Sequence, residues 1–103
     1  MKPICCTGNC KVTVNKTIRF LKIISDENRL RIICLLSRGD RCVCDIWQYL
    51  KIPQNLASHH LKVLKDFKLL TSKKQGLKVF YKLNTRLLNQ YQTTLAHFLN
   101  PNS

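Results

Sequence analysis

The chain has 103 residues, enough for one compact domain with its own core and too few for two, so any second function has to share that domain. Hydrophobic residues make up 45% of it, but no uninterrupted apolar run approaches the roughly 18 residues a membrane helix needs. Eighteen Lys and Arg against five Asp and Glu leave a net charge of +13, which favours polyanionic partners, most commonly nucleic acid, over an acidic membrane or a merely solvated basic surface.

The opening Met1-Lys2-Pro3-Ile4-Cys5-Cys6 lacks the apolar stretch of a signal peptide, which predicts a cytoplasmic chain with reduced thiols. Its six cysteines then read as ligands or sensors, not as staples. No repeat or low-complexity linker divides the chain, and the reading is a cysteine-bearing arm over residues 1–12, turn-like at Gly8-Asn9, followed by one domain over 13–103.

Residues 15–24 carry Ile18, Leu21 and Ile24 at helical spacing. Ser25 stands as the N-cap of a second helix with Asp26 and Glu27 in its first turn, and Leu30, Ile33 and Leu36 line its inner face. That helix is expected to stop near Gly39, and Cys34 within Ile33-Cys34-Leu35 reads as a small core side chain. A short amphipathic helix follows over Val43–Leu50 through Ile46, Trp47 and Leu50, and Pro53 suits the first turn of a fourth.

At about 100° per residue the fourth helix puts Ala57, Leu61 and Leu64 on one side, and Asn55, Ser58, His59 and Lys62 on the other. His60 falls beside the apolar side, as a buried histidine with a local partner does. Leu69–Lys74 and Lys78–Leu83 read as two strands joined across Gln75-Gly76. Asn84 or Thr85 caps a last helix whose stripe of Leu87, Leu88, Tyr91, Leu95 and Phe98 has little in so small a domain to cover it. A second copy is the natural cover, and Ile18, Leu21, Leu88, Tyr91, Leu95 and Phe98 are the expected dimer-interface residues.

A mainly α chain with a helix pair, a tight turn and then a small basic β-hairpin has the order of a winged helix-turn-helix domain. Four pieces make the resemblance specific: Asn28-Arg29-Leu30-Arg31-Ile32-Ile33; Cys42-Val43-Cys44-Asp45-Ile46; Ser58-His59-His60-Leu61-Lys62-Val63-Leu64; and Val79-Phe80-Tyr81. Together, over residues 17–98, they resemble the ArsR/SmtB family of metal-sensing bacterial repressors.

The functional reading places the fourth helix in the major groove, with Gln54, Asn55, Ser58 and His59 available to base edges or phosphates and Lys62 to the backbone; the resemblance points to the same positions. Lys73, Lys74 and Lys78 bracket the hairpin tip, within reach of phosphates or a minor groove. A homodimer would present two such helices about one turn of DNA apart, so the expected target is an operator with an imperfect inverted repeat.

Cys42 and Cys44, two apart, diverge in a regular helix, so one ion holds both only if the first turn is loosened or Cys42 lies before it. Arg38 and Arg41 nearby are expected to favour their thiolates. With Cys6 and Cys10 the set becomes a tetrathiolate for Cd(II), Pb(II) or Zn(II), which resembles the cadmium and lead branch. With one arm cysteine it becomes the three-thiolate pyramid suited to As(III) or Sb(III), as in the arsenic branch, and the Cys5-Cys6 pair resembles another arsenic-sensing pattern.

The resemblance implies that the metal-free dimer represses and that ion binding releases the operator. It also implies that the family's histidine and carboxylate zinc site on the last helix is absent, because residues 85–103 hold no Asp or Glu and only His97. Two further readings stay open, a thiol redox or persulfide sensor and a cytosolic metal-buffering module. No Ser/His/Asp order, phosphate loop or paired carboxylates point to an enzyme.

Overall fold

The computed structural model describes residues 8–100, with side chains from Val12 onward. Cys5 and Cys6 lie outside the described residues, as does the side chain of Cys10. The elements run α1 (Gly8–Ile24), α2 (Glu27–Leu36), β1 (Arg41–Cys42), α3 (Val43–Leu50), α4 (Gln54–Asp66), β2 (Leu70–Gln75), β3 (Lys78–Leu83) and α5 (Thr85–Leu99).

Helix α1 begins at Gly8, so Gly8-Asn9 is helical and not the expected turn. No proline interrupts residues 8–24, and once a turn is nucleated each further residue adds a bond at little cost. The N-cap of α2 is Asp26, not Ser25. The Asp26 carboxylate accepts from the backbone N–H of Asn28 at 2.9 Å and of Arg29 at 3.1 Å, while the Ser25 hydroxyl donates back to the Lys22 carbonyl at 2.8 Å.

The inner face of α2 is Ile32, Ile33 and Leu36, the i, i+1, i+4 arc of a single stripe. Leu30 is 53% exposed and off that arc. Cys34 is exposed as well, correcting its expected place in the core: a residue two positions after Ile32 is turned to roughly the opposite side of the helix.

Helix α3 has the expected bounds and buries Ile46 and Leu50. Lys51 turns left-handed at φ 56° as its C-cap, and Pro53 occupies the N-cap of α4, its carbonyl accepting from Leu56 and Ala57. Helix α4 buries Ala57, His60, Leu61 and Leu64 against a core that includes Phe20, Ile32, Leu36, Ile46, Leu69, Leu70 and Leu83.

The hairpin turn is Gly76-Leu77, one residue later than expected, because the pairing continues to Gln75↔Lys78. Gly76 at φ 63° takes the first loop position, where hairpin twist favours glycine. The sheet has a third strand that the sequence did not reveal. β1 pairs antiparallel with β3, Arg41 against Tyr81 and Cys42 against Phe80, giving the order β1-β3-β2.

Asn84 anchors α5 twice. Its Oδ1 accepts from Leu87 N–H at 3.2 Å and its Nδ2 donates to the Lys68 carbonyl at 2.9 Å. Tyr91 stacks on Phe20 of α1 with ring centroids 4.4 Å apart, and on Phe67 at 5.5 Å. α5 has no fully buried residue. No helix among the described residues is long and apolar enough to cross a membrane.

Candidate nucleic-acid interface and its thiol pair

The exposed face of α4 carries Gln54, Asn55, Ser58, His59 and Lys62, all solvent-accessible as the helical spacing predicts. These are donors and acceptors on a rigid element, the chemistry needed to meet base edges and phosphates.

The helix is held by what lies behind it. His60 is 5% exposed, and its Nδ1 accepts from Arg29 Nε of α2 at 3.1 Å. Because that nitrogen accepts, the proton of the neutral ring sits on Nε2, 3.9 Å from Asp26 Oδ1, too far for a direct bond. Burial pushes the His60 pKa down, Asp26 pulling against it, so the contact is between a neutral imidazole and a guanidinium. The Asp26 carboxyl is held below its usual range: burial opposes this, but the Arg29 N–H, the charge that His60 takes on only at acid pH and the Asn28 N–H prevail. One α2 turn thus supplies both its own cap and the anchor of α4.

On the wing, Lys73, Lys74 and Lys78 are exposed as expected. Strand alternation separates them. Lys73 shares one sheet face with Lys78, Phe80 and Lys82, whereas Lys74 pairs with Val79 on the other. Lys73 and Lys82 line an open depression of about 480 Å³ together with Asp40, Thr71, Ser72, Gln75 and Phe80. Lys82 escaped the sequence reading because it sits away from the hairpin tip; the strand period, once the register is fixed, brings it to the same face as Lys73.

Cys42 and Cys44 come together. Cys42 is extended (φ −68°, ψ 148°) as the N-cap of α3, before the first turn, which is one of the two ways the sequence allowed both thiols to meet one ion. Its Sγ lies 2.9 Å from Cys44 Sγ. Two thiolates on one tetrahedral ion at about 2.3 Å stand about 3.8 Å apart, so the pair needs only a small opening to fit a soft cation.

The Cys42 pKa is lowered by the Cys44 thiol, then by the Cys44 N–H and by Lys78. That of Cys44 is raised, first by the same thiol contact. The pair therefore sheds its first proton readily and its second reluctantly. The cation acting on it is Lys78 of the wing and not the expected Arg38 or Arg41; the Arg41 guanidinium reaches the Asp40 carbonyl instead, at 3.4 Å.

Among the described residues no third His, Cys, Asp or Glu joins this pair. The expected further ligands Cys5 and Cys6, and the side chain of Cys10, lie outside the described residues. His97 is exposed on α5, and no acid accompanies it there.

Residues 26–72, from the α2 cap to the first strand of the wing, match the model of the bacterial regulatory protein arsR family. The arsenical resistance operon repressor of Staphylococcus xylosus is 41% identical over 75 residues, covering 73% of this chain and 72% of its own length. The chain belongs to the ArsR family of bacterial regulatory proteins. Another relative, the cadmium resistance transcriptional regulatory protein CadC of Listeria innocua, is 42% identical over 72 residues, 68% of this chain and 60% of its own length. The solution structure of a homodimeric winged helix-turn-helix DNA-binding domain from Mycobacterium bovis superposes with a TM-score of 0.69 at 24% identity, covering 90% of each chain. In the order of a winged helix-turn-helix, α3 and α4 joined by the tight turn are the helix pair and β2-β3 is the hairpin wing that follows.

Proposed function

We propose that this ArsR-family chain is a metal- or metalloid-responsive transcriptional repressor. It binds an imperfect inverted repeat as a homodimer and leaves it when a soft ion, As(III) or Sb(III), or Cd(II), Pb(II) or Zn(II), is held by Cys42 and Cys44 with Cys5, Cys6 or Cys10. The observation that carries the reading is the 2.9 Å thiol pair at the start of α3. Relatives named for arsenical and cadmium resistance support the choice of soft ions.

Two connections favour coupling between the thiols and DNA. Lys51 and Pro53 join α3 to α4 through a tight turn. The β1-β3 ladder joins Cys42 to Phe80 of the wing. A change in thiol spacing therefore acts on the recognition helix and on the wing at once. By linkage, DNA weakens ion binding by the same factor that the ion weakens DNA binding. The exposed Ile18 (43%) and Leu21 (38%) of α1 favour a second copy as the missing cover, and so does the part of the α5 stripe formed by Leu95 and Phe98.

A thiol-redox repressor is the second reading, favoured by the same close pair. Selection of a duplex from a randomised library by reduced, metal-free protein, followed by titration with each ion under reductant, separates the two. Release by an ion supports the metal reading. Release only on removal of reductant, independent of ions, supports redox, and failure to select any duplex overturns both.

A further inference from the structure

Helix α4 contains one exposed apolar residue that neither the core nor the polar reading set uses. Leu56 is its third residue and is 40% exposed. A single exposed leucine is ordinary on a protein surface; what distinguishes this one is its place. At about 100° per residue it lies roughly 60° from His59 on one side, and on the other roughly 40° from the buried His60 and 80–140° from Leu64, Ala57 and Leu61. It follows Asn55 directly, at the N-terminal end of the helix, the end from which recognition helices reach base edges.

Its backbone is pinned, the N–H lying 3.1 Å from the Pro53 carbonyl and 3.0 Å from Asn55 Oδ1. The position of the side chain is thus set by the helix start and not by a loop. In the major groove the four base pairs offer several donors and acceptors but one apolar group, the 5-methyl of thymine.

We propose that Leu56 is a specificity-determining residue that packs against a thymine 5-methyl group in each half-site, beside the bases met by Asn55 and His59. The inference rests on α4 reading DNA. It adds an apolar contact to a surface otherwise made of hydrogen-bonding groups, and it predicts a dependence on the thymine 5-methyl group that hydrogen bonds to the O4 acceptor would not create.

The test uses the full-length reduced protein and the duplex it selects from a randomised library. Each thymine of one half-site is replaced in turn by deoxyuridine, which removes only the methyl. Wild-type protein is expected to lose about fourfold in affinity at one position, the worth of one buried methyl group. Leu56→Ala, which removes the contact from both half-sites of the dimer, is expected to lose about sixteenfold on the thymine duplex, that factor once per half-site, and nothing further when the deoxyuridine replaces the thymine. Leu56 is exposed, so an unchanged thermal midpoint serves to show that the variant is folded.

Wild-type indifference to every deoxyuridine overturns the proposal while leaving DNA binding intact, and so does a loss that persists undiminished in Leu56→Ala. Failure of the wild-type protein to select any duplex overturns the DNA reading itself and the proposal with it.

Discussion

Helices α4 and α5 carry apolar stripes of similar make and meet different fates. α4 sinks Ala57, His60, Leu61 and Leu64 out of solvent and keeps its polar side free. α5 buries none of its residues fully: Leu87, Leu88 and Tyr91 pack on the core, while Leu95 and Phe98 lie beyond it. Both are legible in the sequence as amphipathic helices. The difference is in what covers them, since α4 is covered by its own chain and the far end of α5 is not, a second copy being its proposed cover. A stripe in a sequence announces burial without saying by whom.

The largest effect that sharpens this contrast is expected from Leu61→Ala. Leu61 is fully buried, and truncation in such a site costs about 2–5 kcal/mol of unfolding free energy, readable by urea denaturation at low protein concentration. Leu95→Ala is expected to leave that monomer stability nearly unchanged and to raise the dimer dissociation constant in sedimentation equilibrium. Equal effects of the two variants on unfolding would break the distinction.

His60→Ala comes next, because it leaves the buried side of Arg29 without its acceptor, a loss of about 1–3 kcal/mol. Its pH dependence has a definite sign. The folded pKa of His60 lies below the ordinary 6.5, so the unfolded chain takes up the proton first. The contribution is complete above about 6.5 and is lost as pH falls toward the lower folded value. Asp26 faces the same imidazole, but its lowered carboxyl pKa acts below 3.8, in a separate window. Unfolding titrations from pH 8 to pH 5 are expected to show a downward slope in the wild type that is absent in His60→Ala.

Smaller again is Asp26→Ala, which removes the cap of α2 at about 1 kcal/mol, whereas Ser25→Ala is expected to fall within a few tenths of zero on thermal melting. On the DNA side, replacing Lys73, Lys74 and Lys78 by Ala is expected to weaken binding to all duplexes. It should also flatten the salt dependence by about 0.9 in log–log slope for each phosphate that is no longer neutralised. An unchanged slope would remove the wing from the DNA-binding surface.

Much of the fold could be read locally. Val43–Leu50 was visible because an apolar spacing of three and four ended at Lys51-Ile52-Pro53, and the two faces of α4 followed from periodicity alone. What stayed hidden was decided by competition or by distance. Ser25 and Asp26 are both good caps, and the choice between them turned on the Lys22 carbonyl taking the serine hydroxyl. Cys34 has apolar neighbours in sequence, but the helical turn carries it outward. A two-residue strand such as β1 has no period to detect, so the link from Cys42 to Phe80 and the charge of Lys78 beside the thiols were invisible. The Cys42-Val43-Cys44-Asp45 box marks the cysteine pair through its resemblance to the family, although its spacing alone makes the thiols diverge in a regular helix; its electrostatic partner Lys78 required the wing to fold back over it.

The measurement that bears most directly on the account is fluorescence anisotropy of the selected duplex with wild-type and Cys42→Ser/Cys44→Ser protein, titrated with arsenite and with cadmium under reductant. The account predicts that one of these ions lowers wild-type affinity, by about 5–150-fold as is typical of coupled sites, and that the double variant binds the duplex tightly and ignores both ions. A double variant released by the ion as readily as the wild type, or a wild type released by neither, would contradict it.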